Sequence, residues 1–298
     1  MKTQDGSLPA LFLACRPKTL VACIVPVCLG GWLSYTVLNE FTLYLLIFTL
    51  LPALAIQVAT NLFNDAIDYR KGADTKARLG PQRMAASGRM PPESLLIAGI
   101  ACVFISLTLS LVLVLERGWI IVAIGLPSLV FTYGYTGGPY PLAYRGLGEI
   151  FVFLFFGIIA VATTVFVQSG QWLAESFLLG AQVGLLAAVL IAINNARDIQ
   201  EDVVAGKKTL AARFGLRFAR IEIAVLSLSP FVVGGFWWLF FDSSKAALMP
   251  LPALFIAVIL NFRICRSAPG KSYNTDLALS IVLLIAFALL ISIGLRLG

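Results

Sequence analysis

Residues 94–115 read SLLIAGIACVFISLTLSLVLVL, an apolar run without one charged side chain. A run of that length is what a helix needs to cross the ~30 Å hydrocarbon core of a bilayer at about 1.5 Å per residue. Outward from it, comparable runs recur between polar breaks, at roughly 20–38, 43–63, 118–136, 147–168, 176–195, 219–240, 246–264 and 276–296. The sequence therefore predicts an all-α, polytopic membrane protein. About nine transmembrane helices form one bundle around a central cavity opening to the cytoplasmic side, and residues 1–298 make a single transmembrane domain.

Composition agrees. Of 298 residues, 59% are hydrophobic and 12% charged, and the mean hydropathy is +0.93. A soluble domain is about a quarter charged, so this chain lacks the polar residues to cover a water-facing surface. Pro127, Pro230, Pro250 and Pro252 fall in or beside spans, where neighbouring helices must satisfy the freed carbonyls. The first nineteen residues hold Lys2, Asp5, Arg16 and Lys18 and no small-residue cleavage site, so they do not read as a cleaved signal peptide. Ser7 to Cys15 fits a short interfacial helix. Cys15, Cys23, Cys28, Cys102 and Cys265 show no CxxC spacing and read as free thiols. Histidine is absent, which excludes a His-ligated haem, a His-based zinc site and a Ser-His-Asp triad.

The net charge of +7 is a matter of topology rather than of nucleic acid. With the N-terminus in the cytoplasm and the spans alternating, nineteen of the 22 Lys and Arg fall on the cytoplasmic side. Only Arg117, Lys245 and Arg296 fall on the other. The expected location is an integral protein of a bacterial inner membrane. Two cytoplasmic loops stand out for length, 64–93 and 196–218.

The chemistry sits beside those loops. Where the second span ends, Asn61-Leu-Phe-Asn64-Asp65-Ala-Ile-Asp68 places Gln57, Asn61, Asn64, Asp65 and Asp68 within an arc of about 100° on one helix face. Asp65 and Asp68 are about 4.5 Å apart along the axis, and carboxylates that close repel unless a cation lies between them. The sixth span ends in Asn194-Asn-Ala-Arg-Asp198-Ile-Gln-Glu-Asp202, with Asn194, Asp198 and Asp202 four residues apart and Glu201 near the same face. Asn and Asp without Cys or His are hard ligands that favour Mg²⁺ or Ca²⁺. A carboxylate at the end of a span is commonly a solvated cap. Here polar residues run back to Gln57 and Asn194 inside the apolar segments, and that favours a site.

Mg²⁺ completes its shell with water and substrate phosphate. Basic residues in the adjoining loops supply phosphate partners: Arg70, Lys71, Lys76, Arg78 and Arg83 after the first cluster, Lys207 and Lys208 after the second, Arg16 and Lys18 at the entrance to the first span. Gly206-Lys-Lys-Thr209 is not a P-loop, because Glu201 stands where the first glycine belongs and no strand precedes it. A secondary transporter is the competing class, but its carboxylates belong near span centres rather than span ends.

These motifs resemble the UbiA superfamily of intramembrane aromatic prenyltransferases. The resemblance rests on Asn61-x-x-Asn-Asp-x-x-Asp68, on Asp198-x-x-x-Asp202 followed by Gly206-Lys-Lys-Thr-Leu, and on Arg16-Pro-Lys-Thr-Leu. Within it, Arg78-Leu-Gly-Pro-Gln-Arg-Met-Ala-Ala-Ser-Gly-Arg89 and the stretch from Tyr135 to Glu149 are most similar to the 1,4-dihydroxy-2-naphthoate prenyltransferases of menaquinone synthesis. Many relatives carry Tyr-x-x-x-Lys in the loop after span four. Here Tyr133 is followed four residues later by Gly137; Arg145 is one candidate to replace the lysine, and the sequence leaves open which basic residue does so.

The resemblance implies a polyprenyl diphosphate, an aromatic acceptor and Mg²⁺ in a lipid bilayer, with no nucleic acid or protein partner. It implies Mg²⁺ held by Asn61, Asn64, Asp65, Asp68, Asn194, Asp198 and Asp202. Diphosphate would meet Arg16, Lys18, Arg70, Lys71, Arg78, Arg83, Arg145 and Lys207. Asp65, Asp68, Asp198 and Asp202 would drive ionisation, and Tyr133, Tyr135 or Phe63 would offer a π face to the allylic cation. The acceptors 4-hydroxybenzoate and homogentisate are the alternatives. All of this requires the cytosolic ends of spans two and six to meet.

Overall fold

The computed structural model describes residues 8–74 and 78–298. Among them every regular element is helical: α1 (Leu8–Ala14), α2 (Pro17–Leu38), α3 (Leu43–Arg70), α4 (Pro92–Arg117), α5 (Trp119–Gly134), α6 (Gly148–Ser169), α7 (Ala174–Arg197), α8 (Ile199–Val204), α9 (Leu210–Phe241), α10 (Ser244–Arg266) and α11 (Tyr273–Leu297). Eight of these are long and apolar enough to cross a membrane, and α5 is a shorter apolar helix. The nine predicted spans are α2–α7 and α9–α11. At 16 residues, α5 is only about 24 Å long, because the chain reverses sharply at Gly118.

Burial explains the order of the layers. Leu179, Val183, Ala187, Val189, Ala192 and Ile193 leave α7 enclosed by its neighbours, whereas Ile97, Phe104, Leu111 and Leu115 of α4 lie exposed, as lipid-facing side chains must. In bilayers helices associate by close packing of small residues. A Cβ on Gly157 of α6 would fall 2.4 Å from Gly180 O and from Gly184 Cα, so α6 and α7 touch backbone to backbone at a Gly-x-x-x-Gly step. The facing part of α6, Leu154–Ile159, is wound as a π-helix. Pro230 lies within α9, and the buried Gln182 of α7 binds there, donating from Nε2 to Pro230 O (2.8 Å) and accepting from Trp237 Nε1 (2.7 Å).

Three segments depart from expectation. α3 runs on to Arg70, so the loop predicted from residue 64 starts later, and Asp65 and Asp68 ride the last turns of the helix as expected. The segment predicted as the loop 196–218 holds α8 and the start of α9, capped by Thr209, whose Oγ1 accepts from Ala212 N. The helix carrying the second cluster breaks at Asp198 (φ −97°, ψ 14°), so Asp202 belongs to α8. At the opposite end of the bundle Lys245 donates to Leu297 O, Arg296 stacks over Tyr35, and Arg117 donates to Val167 O and Gln168 O. The three cations assigned to that side are engaged there.

Candidate active site

α3 and α7 bring their acidic ends to the same pole of the bundle, and basic side chains join them. Lys207, following α8, donates to Asp68 Oδ2 (2.9 Å). Arg78, following α3, donates to Asp198 Oδ2 (3.2 Å), and the backbone of Leu79 donates to Glu201 Oε1 (3.1 Å). The two ends meet through their loops.

Each carboxylate is held differently. Asp65, 1% exposed, accepts the backbone amides of Met84 (2.9 Å) and Ala85 (3.0 Å), tying the 83–90 turns to α3. Asp68, equally buried, accepts Tyr144 Oη (2.8 Å) as well as Lys207, with Arg83 3.8 Å away. Asp198 receives Arg197 on both oxygens, Nε at 2.6 Å and NH2 at 2.7 Å. Asp202 accepts Thr209 Oγ1 (3.2 Å), and burial pushes its carboxyl up to about 7 against the pull of Lys207.

The asparagines serve the frame. Asn61 Nδ2 donates to Cys15 O (2.9 Å) and Thr19 Oγ1 (3.3 Å), fixing the turn in which Arg16 adopts φ 53°. Asn64 Oδ1 accepts Thr136 Oγ1 (2.6 Å). Asn195 Nδ2 donates to Glu149 Oε1 (2.6 Å), whereas neighbouring Asn194 contributes its backbone carbonyl to Asp198 N.

Of the eight predicted diphosphate residues, five reach the acidic clusters and three do not. Arg16 lies among both clusters. Burial and Arg78 lower its guanidinium to about 10, opposed by Asp65 and Asp68. Lys71 donates to Thr136 O (2.8 Å), and burial lowers its ammonium. Arg78 pairs with Asp74, and Arg83 Nε lies 2.9 Å from Asp74 Oδ2. Lys18 is exposed, Arg70 is engaged outside with Glu93 (2.7 Å), and Arg145 stacks over Tyr140, 4.5 Å from its centroid. Lys71 and Lys207 both lie over the Tyr144 ring. Lys76 lies outside the described residues.

The aromatic candidates separate as well. Tyr133 is half exposed and packs edge-on against Phe63, which faces Gly99 of α4 on the side of α3 opposite the carboxylates. Neither reaches the clusters. Tyr135 is buried, against Phe151, and Phe151 stacks on Phe155 with centroids 4.3 Å apart. Sequence reading passed over Asp74, Thr136, Tyr144 and Arg197 as site residues. Two signals were available, Asp74 in the same acidic run as Asp68 and Arg197 adjoining Asp198.

Three buried donors, Arg16 NH2, Arg78 Nε and Arg83 NH1, have no hydrogen-bond partner among the described residues. Unpaired guanidinium N–H groups inside a protein are costly, and an anion with several oxygens would satisfy them. The charges around them balance: Arg16, Lys71, Arg78, Arg83, Arg197 and Lys207 against Asp65, Asp68, Asp74, Asp198, Glu201 and Asp202. A diphosphate entering this set would add negative charge that an accompanying cation would offset. No group of three Asp or Glu gathers around one point among the described residues. Such a set suits Mg²⁺, which takes one or two carboxylates and fills its shell with phosphate and water.

These features define a polytopic helical membrane protein with a polar pole in which unpaired guanidinium donors lie among carboxylates. The chain matches the UbiA prenyltransferase family over residues 23–279. It is 34% identical to a 1,4-dihydroxy-2-naphthoate octaprenyltransferase of Bacillus subtilis over 222 residues, 74% of this chain and 70% of that one. To the protein of the same name in Escherichia coli it is 32% identical over 225 residues, 73% and 72% of the two chains. Its fold is similar to a UbiA homolog from Archaeoglobus fulgidus bound to GPP and Mg²⁺, with TM-score 0.70, 16% identity and coverage of 97% and 100%. An apo UbiA homolog from Aeropyrum pernix K1 gives TM-score 0.65 and 18% identity over 90% and 96%. The chain belongs to the UbiA prenyltransferase family and is a prenyltransferase.

Proposed function

We propose that this enzyme transfers a polyprenyl group from an allylic polyprenyl diphosphate to 1,4-dihydroxy-2-naphthoate, giving demethylmenaquinol for menaquinone synthesis, with Mg²⁺ as cofactor. The observation that carries the reading is the set of unpaired guanidinium donors of Arg16, Arg78 and Arg83 between two carboxylate pairs. The names of the bacterial relatives favour the naphthoate over 4-hydroxybenzoate or homogentisate. The expected bias of nineteen of the 22 Lys and Arg to the cytoplasmic side favours a cytoplasmic site and N-terminus in a bacterial inner membrane. The chain acts as a single domain.

In this reading Asp68 and Asp202 hold Mg²⁺, while Asp65 and Asp198 fix the loops that carry the arginines. Bound Mg²⁺ supplies Lewis-acid neutralisation of the leaving diphosphate. Arg16, Arg78 and Arg83 donate to its oxygens, and Lys71 and Lys207 add positive charge. The allylic C–O bond breaks, its electron pair leaving with the diphosphate; a ring carbon of the acceptor bonds to the cation, and the acceptor's carboxylate leaves as CO₂, its C–C electron pair returning to the ring and restoring aromaticity. Of the aromatic candidates Tyr133, Tyr135 and Phe63, this reading keeps Tyr135, which with Phe151 and Phe155 keeps water from the cation and offers it π faces. The test is transfer from labelled geranylgeranyl diphosphate by purified protein, with and without Mg²⁺, to each of the three acceptors. Transfer to the naphthoate alone, lost on chelation, is expected. Preference for 4-hydroxybenzoate would reassign the acceptor, and Mg²⁺-independent transfer would remove the metal.

A further inference from the structure

Tyr144 meets three elements of the site at once. Its hydroxyl donates to Asp68 Oδ1 (2.8 Å), whose other oxygen receives Lys207 Nζ (2.9 Å). Lys71 Nζ lies over its ring, 4.1 Å from the centroid, and Lys207 Nζ lies 5.0 Å from the same centroid. Its carbonyl accepts Lys208 N (3.1 Å), joining its loop to the loop that carries Lys207. The two loops pass so closely that a Cβ on Gly146 (φ +74°) would sit 2.9 Å from Lys208 O.

Two ammonium groups on flexible four-carbon stems repel one another and, left alone, would swing apart to separate partners. An aromatic face attracts both without adding negative charge. A carboxylate in its place would also gather them, but it would then repel a phosphate.

We infer that Tyr144 is a positioning residue whose ring holds Lys71 and Lys207 together as one phosphate-binding pair, while its hydroxyl orients Asp68. The inference rests on the diphosphate reading above. It gives the neutral ring the work of a counter-ion that does not compete with the anion.

The test uses the full chain in detergent with Mg²⁺ and inorganic pyrophosphate as the probe, measured by calorimetry, beside separate KM values for the prenyl diphosphate and the acceptor. Tyr144→Phe keeps the ring, and its pyrophosphate affinity is expected within about threefold of wild type. Tyr144→Leu is expected to bind pyrophosphate about tenfold more weakly and to raise KM for the prenyl diphosphate alike, with the acceptor KM unmoved. Lys207→Met and the double variant Tyr144→Leu/Lys207→Met should differ by less than the loss seen in Tyr144→Leu alone, because ring and ammonium act as a unit. A phenylalanine at 144 carrying one, two or three ring fluorines keeps its shape while its face loses electron density. Affinity is then expected to fall stepwise, and this series needs no variant that endangers folding.

A flat fluorine series, equal shifts in both KM values, or full additivity in the double variant would overturn the role of the ring. Wild-type protein that transfers prenyl groups with an unaltered Tyr144→Leu affinity would sink this inference alone. Wild-type protein that binds no pyrophosphate would sink it together with the diphosphate reading.

Discussion

The two acidic helix ends differ in what they do with the first carboxylate of each pair. At the end of α3, Asp65 accepts two backbone amides and organises a loop. At the end of α7, Asp198 is clasped by the guanidinium of the preceding residue, and Arg197 passes the connection on to Asn274 Oδ1 (2.7 Å). One end builds with neutral donors, the other with a buried ion pair. The second carboxylates, Asp68 and Asp202, face cations and hydroxyls of mobile side-chain types instead. In the proposed reading the spacing of these motifs separates two tasks, an architectural acid and, three or four residues on, an acid that would hold the metal ion.

That division is most directly broken at Asp68. Asp68→Asn removes the charge that Lys207 and Tyr144 share, and leaves Lys207 buried without its anion. Turnover with labelled prenyl diphosphate is expected to fall by about 10²–10³ while the protein still purifies folded. Wild-type turnover would erase the distinction between the two acids of α3. At the other end, Asp202→Asn should raise the Mg²⁺ concentration needed for half-maximal rate by roughly tenfold, since the ion then loses one of few protein ligands. A Mg²⁺ titration that overlays on wild type would move the metal away from α8.

The architectural acids should report on folding first. Asp65→Asn presents an NH₂ to one of two amide donors, and the buried amide left unpaired costs about 1–3 kcal/mol. Thermal unfolding in detergent should drop by several degrees, with activity falling less than in Asp68→Asn. Gly80→Ala probes the α7 side, because its new Cβ would sit 2.6 Å from Arg197 NH2 and push that guanidinium off Asp198. A several-fold loss of activity is expected. Activity lower in Asp65→Asn than in Asp68→Asn would reverse the assignment of tasks.

Much of this was legible in the chain. The bilayer requires long apolar runs and satisfied backbones, so span count and order followed from periodicity-free hydropathy. The Asn and Asp spacing of the two clusters follows from helical geometry. What was hidden depends on side chains meeting across distant loops. Tyr144, Thr136 and Asp74 sit in segments with no period, where spacing says nothing of direction. The limits of α9 were hidden because Leu210–Arg220 is too polar to read as a span and yet continues one, through a bend at Gly215. Tyr133 and Tyr135 look alike in sequence, but two residues on a helix are about 200° apart. One meets Phe63 and the other the site wall.

The smallest expected effect comes from cations that composition cannot distinguish from those of the site. Lys18, Arg70 and Arg145 lie at the same pole as Arg16, Lys71 and Lys207, and positive charge near that pole would raise the local concentration of any diphosphate. If long-range attraction governed binding, removing them would matter nearly as much as removing a contact. Their surroundings argue otherwise. Arg70 pairs with Glu93 in water, Arg145 lies on Tyr140, and Lys18 is exposed, so solvent and salt screen all three over about 10 Å. Alanine at each is expected to change the KM for prenyl diphosphate less than twofold at physiological salt, against about tenfold or more for Arg16→Ala, whose buried NH2 has no partner among the described residues. A comparable rise at Arg145 would mean that the Tyr140 stack opens during turnover, and that loop would then join the site.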